Sequence, residues 1–123
     1  MNTFQKRDTK RELRILEKIY SVDFGRDDIT FILKKVQAEL EKIQEKAKDN
    51  SNDVTCFEII KKEKSVLKEA IGEFLGSPGE VVSLFESDDT IILHRDIYTF
   101  LVEEYMKVLQ TKSPYDAERI ERV

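Results

Sequence analysis

Few side chains in this sequence could perform acid–base or metal chemistry, and they stand at scattered positions. His94 is the single histidine and Cys56 the single cysteine. A structural zinc site needs about four nitrogen or sulfur ligands, which these two residues do not supply. We therefore expect His94 to be a partly buried or surface residue of its helix. Cys56 has no identifiable base, and its apolar neighbours predict a small buried hydrophobe.

The acidic residues include three adjacent pairs, Asp27-Asp28, Asp88-Asp89 and Glu103-Glu104. Adjacent residues on a helix point about 100° apart, so such a pair does not form a catalytic dyad. The two aspartate pairs stand where helices are predicted to begin, and capping accounts for them. The sequence also has no glycine-rich phosphate loop, serine elbow or calcium loop motif. These patterns argue against an enzyme and predict neither a cofactor nor a metal.

Composition indicates a single domain over residues 1–123. The chain is 40% hydrophobic and 37% charged, with a net charge of −4. That acidic balance argues against a generic nucleic-acid binder, which normally carries a basic field. No apolar run approaches the length of a membrane span or a signal-peptide core, so we expect no membrane association and a cytoplasmic location.

The apolar spacing predicts a small bundle of about four helices over residues 26–112, after a flexible start at 1–12 and before a charged tail at 113–123. The first helix is capped by Asp27 and carries the apolar positions Ile29, Ile32, Leu33, Val36, Leu40 and Ile43. A polar loop follows at 46–53. The second helix begins near 53–55, ends at Leu75, and carries the stripe Phe57, Ile60, Leu67, Ile71 and Phe74. Gly72 in this helix predicts the close approach of another backbone.

The stretch from Phe74 to Lys107 contains several helix boundaries. Gly76 suits the position after a helix end. Ser77, Pro78 and Glu80 form a capping-box pattern that predicts a short helix as far as Glu86. Asp88 or Asp89 is then expected to cap the last long helix, whose apolar face comprises Ile92, Leu93, Ile97, Phe100, Leu101, Tyr105, Val108 and Leu109.

Residues 13–24 fit two local structures. Thr9 and Glu12 form a capping box for a helix. Alternating apolar residues, with Tyr20, Val22 and Phe24 in the second run, fit two strands instead. Periodicity alone leaves both open.

The order of these elements resembles the phage tail assembly chaperones of long-tailed phages and of phage-like elements of Gram-positive bacteria. The likeness covers most of residues 13–107. It rests on residues 13–24 with the acidic pair after them, on the Leu-Gly turn at Gly76, on the Leu84-Phe85 pair and on residues 97–105. The chain has Gly-Ser-Pro-Gly where the family often has a Gly-Glu-Gly-like turn. The resemblance implies that residues 13–24 form a short N-terminal β-hairpin.

Family members bind the tape measure protein in the host cytoplasm, keep it soluble without catalysis or a cofactor, and leave as tail tube subunits polymerise. The resemblance therefore implies tape measure and tail tube proteins as partners. Hydrophobic grooves between short helices suit an amphipathic client helix. Val81, Phe85 and Tyr98 are expected on the surface, where they could line such a groove or support self-association into a homo-oligomer. The full set of candidate partner-binding residues is Val81, Val82, Phe85, Tyr98, Leu101 and Tyr105.

Two other functions stay open at this point. One is a small phage or plasmid-type DNA-binding regulatory protein, for which the N-terminal basic residues Lys6, Arg7, Lys10, Arg11 and Arg14 would form the contact patch. The other is a structural subunit or adaptor of a virion.

Overall fold

The computed structural model describes residues 3–4, 6–49 and 53–110, without the side chains of residues 49 and 53–55. Within them an antiparallel hairpin precedes four α-helices, which confirms the predicted fold class. The elements are β1 Lys10–Ile15, β2 Lys18–Asp23, α1 Asp28–Asp49, α2 Asp53–Leu75, a 3-10 turn Pro78–Glu80, α3 Val81–Leu84 and α4 Ile91–Gln110. No helix in these ranges is long and apolar enough to cross a bilayer. The predicted charged tail, 113–123, lies outside the described residues.

The hairpin decides between the two interpretations of residues 13–24 in favour of strands. β1 and β2 pair along their whole length, beginning with Lys10 opposite Asp23. Side chains alternate across a strand, so one face of the hairpin is buried; it carries Leu13, Ile15, Tyr20 and Val22. The predicted flexible start is wrong for residues 10–12, because they pair with residues 21–23 in this ladder.

α1 and α2 form an antiparallel pair. Lys35, near the start of α1, pairs with Glu69 in the later half of α2 at 2.7 Å. Lys46, near the end of α1, lies in the same groove as Lys62 in the earlier half of α2. The two helices therefore run in opposite directions along a shared apolar seam.

The connection between these helices is shorter than the sequence predicts. α1 continues to Asp49, so the expected polar loop at 46–53 is helical over 46–49, and residues 50–52 lie outside the described part of the chain. Lys46 and Lys48 stand in the last turn, where cations are favoured by the helix dipole. This interaction allows a polar segment to extend the helix.

The apolar stripe of α2 is buried only over its later turns. Leu67, Ile71 and Phe74 are at most 2% exposed, whereas Phe57 is 74% exposed and Ile60 is 36% exposed. Spacing alone places all five on one face of the helix, but a residue is buried only where another element packs against that face. The first turns of α2 therefore extend beyond the core.

Aromatic side chains join the hairpin, α2 and α4 at the centre of the core. The ring of Phe74 lies 6.4 Å from that of Phe24, which follows β2, and 6.3 Å from that of Tyr98 on α4. Phe24 also lies 6.2 Å from Tyr105. Tilted and edge-on pairs at these separations add to the free energy gained from burial.

The turn after α2 matches the prediction at Gly76 but not at Ser77. Gly76 has φ +70°, its N–H donates to the Glu73 carbonyl, and the Ser77 N–H donates to the Gly72 carbonyl, which together form a Schellman motif. The predicted capping box is wrong, because the Ser77 side chain makes no capping hydrogen bond. The Glu80 N–H instead donates to the backbone carbonyl of Ser77 at 3.1 Å, and the chain enters a 3-10 turn.

Thr90 caps α4, in place of the predicted aspartate. Its Oγ1 accepts a hydrogen bond from the Leu93 N–H at 3.3 Å, and its own N–H donates to Asp88 Oδ1 at 3.0 Å. Threonine and aspartate can both cap a helix, so sequence pattern does not separate neighbouring positions. Asp89 does not cap the helix, and its carboxylate instead lies beside Lys64, Lys68 and His94.

Candidate partner-binding surface around α3

Three of the six candidate partner-binding residues belong to the core. Val81 is 3% exposed, Phe85 is 5% exposed and Leu101 is fully buried. The expectation that Val81 and Phe85 lie on the surface is wrong, because the single turn of α3 directs both inward together with Leu84. Packing accounts for these three side chains.

The other three candidates are accessible. Val82 projects outward from α3 and is 65% exposed, which is high for a branched apolar side chain. Tyr98 and Tyr105 are half-buried on α4, where their rings pack on Phe74 and Phe24. Val82 is therefore the candidate with the most surface to offer a partner.

A first groove separates α3 from the hairpin turn, and we call it the hairpin groove. It has a volume of about 630 Å³ and its apolar lining comes from Leu16, Leu84 and Leu93. Lys18 and Asp88 are among its polar residues. The groove thus combines an apolar surface with charges of both signs at its edges.

A second groove lies between α2 and α3, and we call it the glycine groove. It has a volume of about 400 Å³ and is lined in part by Gly72, Pro78, Val81 and Val82. Gly72 is buried, and its missing side chain leaves room for Pro78 and Val81 to pack close to α2. Val82 stands at its edge, and α3 consequently has an apolar groove on each side.

Leu16 borders the hairpin groove in an uncommon backbone conformation. It occupies the two-residue turn between β1 and β2 with φ +57°, the left-handed region that glycine or asparagine normally fills. Its side chain is 56% exposed. Sequence reasoning did not select Leu16; the absence of glycine or asparagine in this turn was the signal that could have found it.

A polar contact fixes the hairpin beside α3. The ammonium of Lys18 donates to Ser83 Oγ at 2.5 Å, and the Ser83 hydroxyl donates to the Glu80 carbonyl at 2.7 Å. These bonds join β2 to the 3-10 turn through one residue of α3. The width of the hairpin groove is therefore set by side chains as well as by the core.

His94 packs against Phe85, the residue that follows α3. It is fully buried, and its ring stacks on Phe85 with a centroid separation of 3.9 Å and an angle of 12°. Nδ1 lies 2.6 Å from the Thr90 carbonyl, so Nδ1 carries the proton and donates it. The expectation of a partly buried or surface histidine is wrong in degree, because Phe85 covers the ring.

An ion-pair cluster adjoins the other side of this imidazole. His94 Nε2 makes no hydrogen bond within the described residues and lies 3.6 Å from Asp89 Oδ1. Asp89 pairs with Lys68 at 3.0 Å and with Lys64 at 3.8 Å. Burial and then the lysine charges lower the pKa of His94, against the opposing effects of the Thr90 carbonyl and Asp89. The lysine contacts hold the pKa of Asp89 below its usual value.

The described residues do not assemble a metal site. No group of three or more histidine, cysteine, aspartate or glutamate side chains in residues 3–4, 6–49 and 53–110 is arranged to hold an ion. Cys56 is exposed, so its expected burial is wrong, because the early turns of α2 extend beyond the core. The arrangement around α3 is therefore one of grooves, apolar edges and ion pairs.

Comparisons of the chain with protein-family models, with curated proteins and with solved structures give no match. The function of this surface is accordingly inferred from its own residues.

Proposed function

We propose that this protein is a phage tail assembly chaperone, which binds the tape measure protein in the host cytoplasm until the tail tube forms around it. The observation that carries the proposal is the pair of apolar grooves on either side of α3. This short helix lies in the stretch on which the resemblance to tail assembly chaperones is centred. The hairpin over residues 10–23 is the second element that the resemblance implied.

The exposed apolar side chains support a protein client. Val82 and Leu16 are 65% and 56% exposed, and each borders a groove. An amphipathic helix binds such a surface by placing apolar side chains from successive turns into adjacent grooves. Release then returns Val82 and Leu16 to water, so the interaction suits a reversible complex.

The charges at the edge of the hairpin groove favour a basic flank on the client. Lys18 is engaged by Ser83, whereas the carboxylates of Glu17 and Asp88 also line the groove. Asp88 is exposed and accepts from the Thr90 N–H, and within the described ranges no lysine or arginine forms an ion pair with it. A lysine or arginine next to the apolar residues of the client would complement these carboxylates.

Co-expression with the tape measure protein encoded in the same genome tests the proposal. A photo-crosslinking amino acid at Val82 or Leu16 should capture the tape measure protein, whereas one at Lys34, exposed on α1, should not. Val82→Glu should reduce recovery of soluble tape measure protein, and Ile19→Glu, at an exposed hairpin position, should not. Equal crosslinking at all positions, or a genome without a tape measure gene nearby, would contradict the proposal.

The same preparation tests the DNA-binding alternative. The N-terminal basic residues that would form the contact patch are interrupted by Asp8 and Glu12, and the Arg11 guanidinium donates to the backbone carbonyls of Asp8 and Lys10. We therefore expect no retention on duplex DNA at low salt. Retention that falls steeply with added salt would favour the regulator.

A further inference from the structure

A continuous groove runs along the α1–α2 pair. It consists of adjoining cavities of about 280 and 490 Å³ that share Glu39, Ser65 and Val66. Its apolar lining includes Ile32, Val36, Ile43 and Ala70. Every lining residue belongs to α1 or α2, so no other element of the described chain covers this face.

Carboxylates predominate at one end of the groove. There Lys35 lies 2.7 Å from Glu69 and 3.9 Å from Glu73. One lysine pairs with two carboxylates, so these three side chains carry a net negative charge. All three side chains are more than a third exposed. We call this the acidic end.

Lysines predominate at the other end. Lys42 pairs with Glu39 at 3.6 Å, and the remaining charged lining residues are Lys46, Lys62 and Glu45, which leave one positive charge over. Within the ranges that the structure describes, neither Lys46 nor Lys62 forms an ion pair. We call this the basic end, and its excess charge is equal and opposite to that of the acidic end.

An exposed aromatic residue adjoins the acidic end. Phe31 lies one helical turn before Lys35 on α1 and is 74% exposed. Large aromatic side chains are the most frequent anchors of protein interfaces. The groove face thus carries two ends of opposite charge and an exposed aromatic side chain, over an apolar floor in which Ile32, Val36 and Ala70 are at most 4% exposed.

We infer that this face joins two copies of the chain about a two-fold axis. In a two-fold interface the same patch meets itself in the reverse direction, so each acidic end would lie over the basic end of the other copy. Glu69 and Glu73 of each copy would then meet Lys46 and Lys62 of the other. Two chains of net charge −4 repel at long range, so a face with no excess charge is where they can meet most easily.

A charge-swap experiment tests this arrangement on the protein alone. Lys46→Glu with Lys62→Glu makes both ends acidic, and Glu69→Lys with Glu73→Lys makes both ends basic. We expect each double variant to raise the dimer Kd at least about tenfold in analytical ultracentrifugation. An equimolar mixture of the two should form a heterodimer in native mass spectrometry, and added salt should weaken it.

Two further variants separate this interface from a general charge effect. Lys34→Glu with Lys48→Glu makes the same charge change at exposed positions of α1 outside the groove, and should dimerise like the unaltered chain. Phe31→Ser should weaken the dimer with no change of charge. Circular dichroism verifies that each variant is folded.

An unaltered chain that is monomeric throughout its soluble concentration range would overturn the inference. So would a mixture of the two charge variants that forms no heterodimer. If the chain is monomeric and the groove variants instead lose the tape measure protein, the groove belongs to the client and the two-fold interface is wrong. The dimer assay contains no client, so it can fail while the proposed chaperone function holds, and the reverse is also true.

Discussion

Pro78 packs directly against the α-carbon position of Gly72. A Cβ on Gly72 would lie 3.1 Å from Pro78 Cα and 3.0 Å from Val81 Cγ2. Both distances are shorter than ordinary carbon–carbon contact. The 3-10 turn and α3 therefore cross α2 at the residue that has no side chain, which confirms the close approach that the glycine predicted.

Gly72→Ala should lower the free energy of unfolding by about 1 kcal/mol. Alanine favours the helix by up to about 1 kcal/mol, but crowding a packed site costs about 1–3 kcal/mol, and the backbone of Pro78 can yield only if the turn moves. Gly79→Ala is the matched control, because nothing lies within 4 Å of its Cβ position. Urea denaturation should show a loss at position 72 and no loss at position 79. Equal effects at both positions would contradict the crossing as the cause.

Local signals in the sequence predicted the helices and the turn at Gly76, because spacing and a left-handed glycine act within a few residues. They did not predict whether a backbone carbonyl or a side chain would accept the hydrogen bonds of the N–H groups at the helix starts. Ser77 makes no capping bond and the chain enters a 3-10 turn instead, and Thr90 caps α4 where Asp88 or Asp89 was predicted. Both outcomes depend on where α3 packs, which the local pattern does not contain.

The sequence singled out the region around α3, but only part of its candidate residues prove to be accessible. Periodicity identified α3 as the irregular element, yet it could not assign Val82 to the surface and Val81 to the core, since a four-residue helix spans about one turn. Leu16 is distant in sequence from α3 and reaches the groove through the hairpin. Its role depends on a long-range contact, Lys18 with Ser83, that no local pattern encodes.

Leu16→Gly should stabilise the fold and weaken the proposed client complex. Glycine adopts a positive φ without the steric cost that leucine incurs, roughly 1 kcal/mol, and the exposed side chain loses little by removal. The apolar edge of the hairpin groove would disappear with it. Ile19→Thr is the control, because it removes an exposed apolar group from the same hairpin outside either groove. A lower free energy of unfolding for Leu16→Gly would contradict this prediction, because it would show that the leucine side chain stabilises the fold by packing.

Arg26→Ala should destabilise the protein by about 1–3 kcal/mol. Its guanidinium donates to the carbonyls of Glu73 at 2.9 Å and Phe74 at 3.0 Å in the last turn of α2, and the Glu73 carbonyl also accepts from the Gly76 N–H. Arg26→Lys should recover part of the loss, because one ammonium cannot match the planar fork. Arg14→Ala, at an exposed hairpin position, should change the midpoint of urea denaturation little. A small and equal shift for both alanine variants would mean that water replaces the guanidinium at these carbonyls.

Stability should fall as the pH drops below about 6.5, and His94 should cause it. An unfolded histidine takes up a proton near that pH, whereas burial lowers the pKa of His94 in the folded protein. The unfolded state therefore binds more protons below that pH, and the unfolding free energy declines by at most about 1.4 kcal/mol per pH unit until the folded-state pKa is reached. The lowered pKa of Asp89 acts in a separate window, since its contribution is lost only at still lower pH.

Two measurements check the assignment to His94. His94→Phe retains a ring to stack on Phe85 and should remove the slope between neutral pH and the folded-state pKa. Because the chain has a single histidine, its imidazole NMR signal can be followed directly against pH. A midpoint at or above that of a free histidine would contradict the burial argument, since protonation would then be favoured by Asp89 more than it is opposed by desolvation.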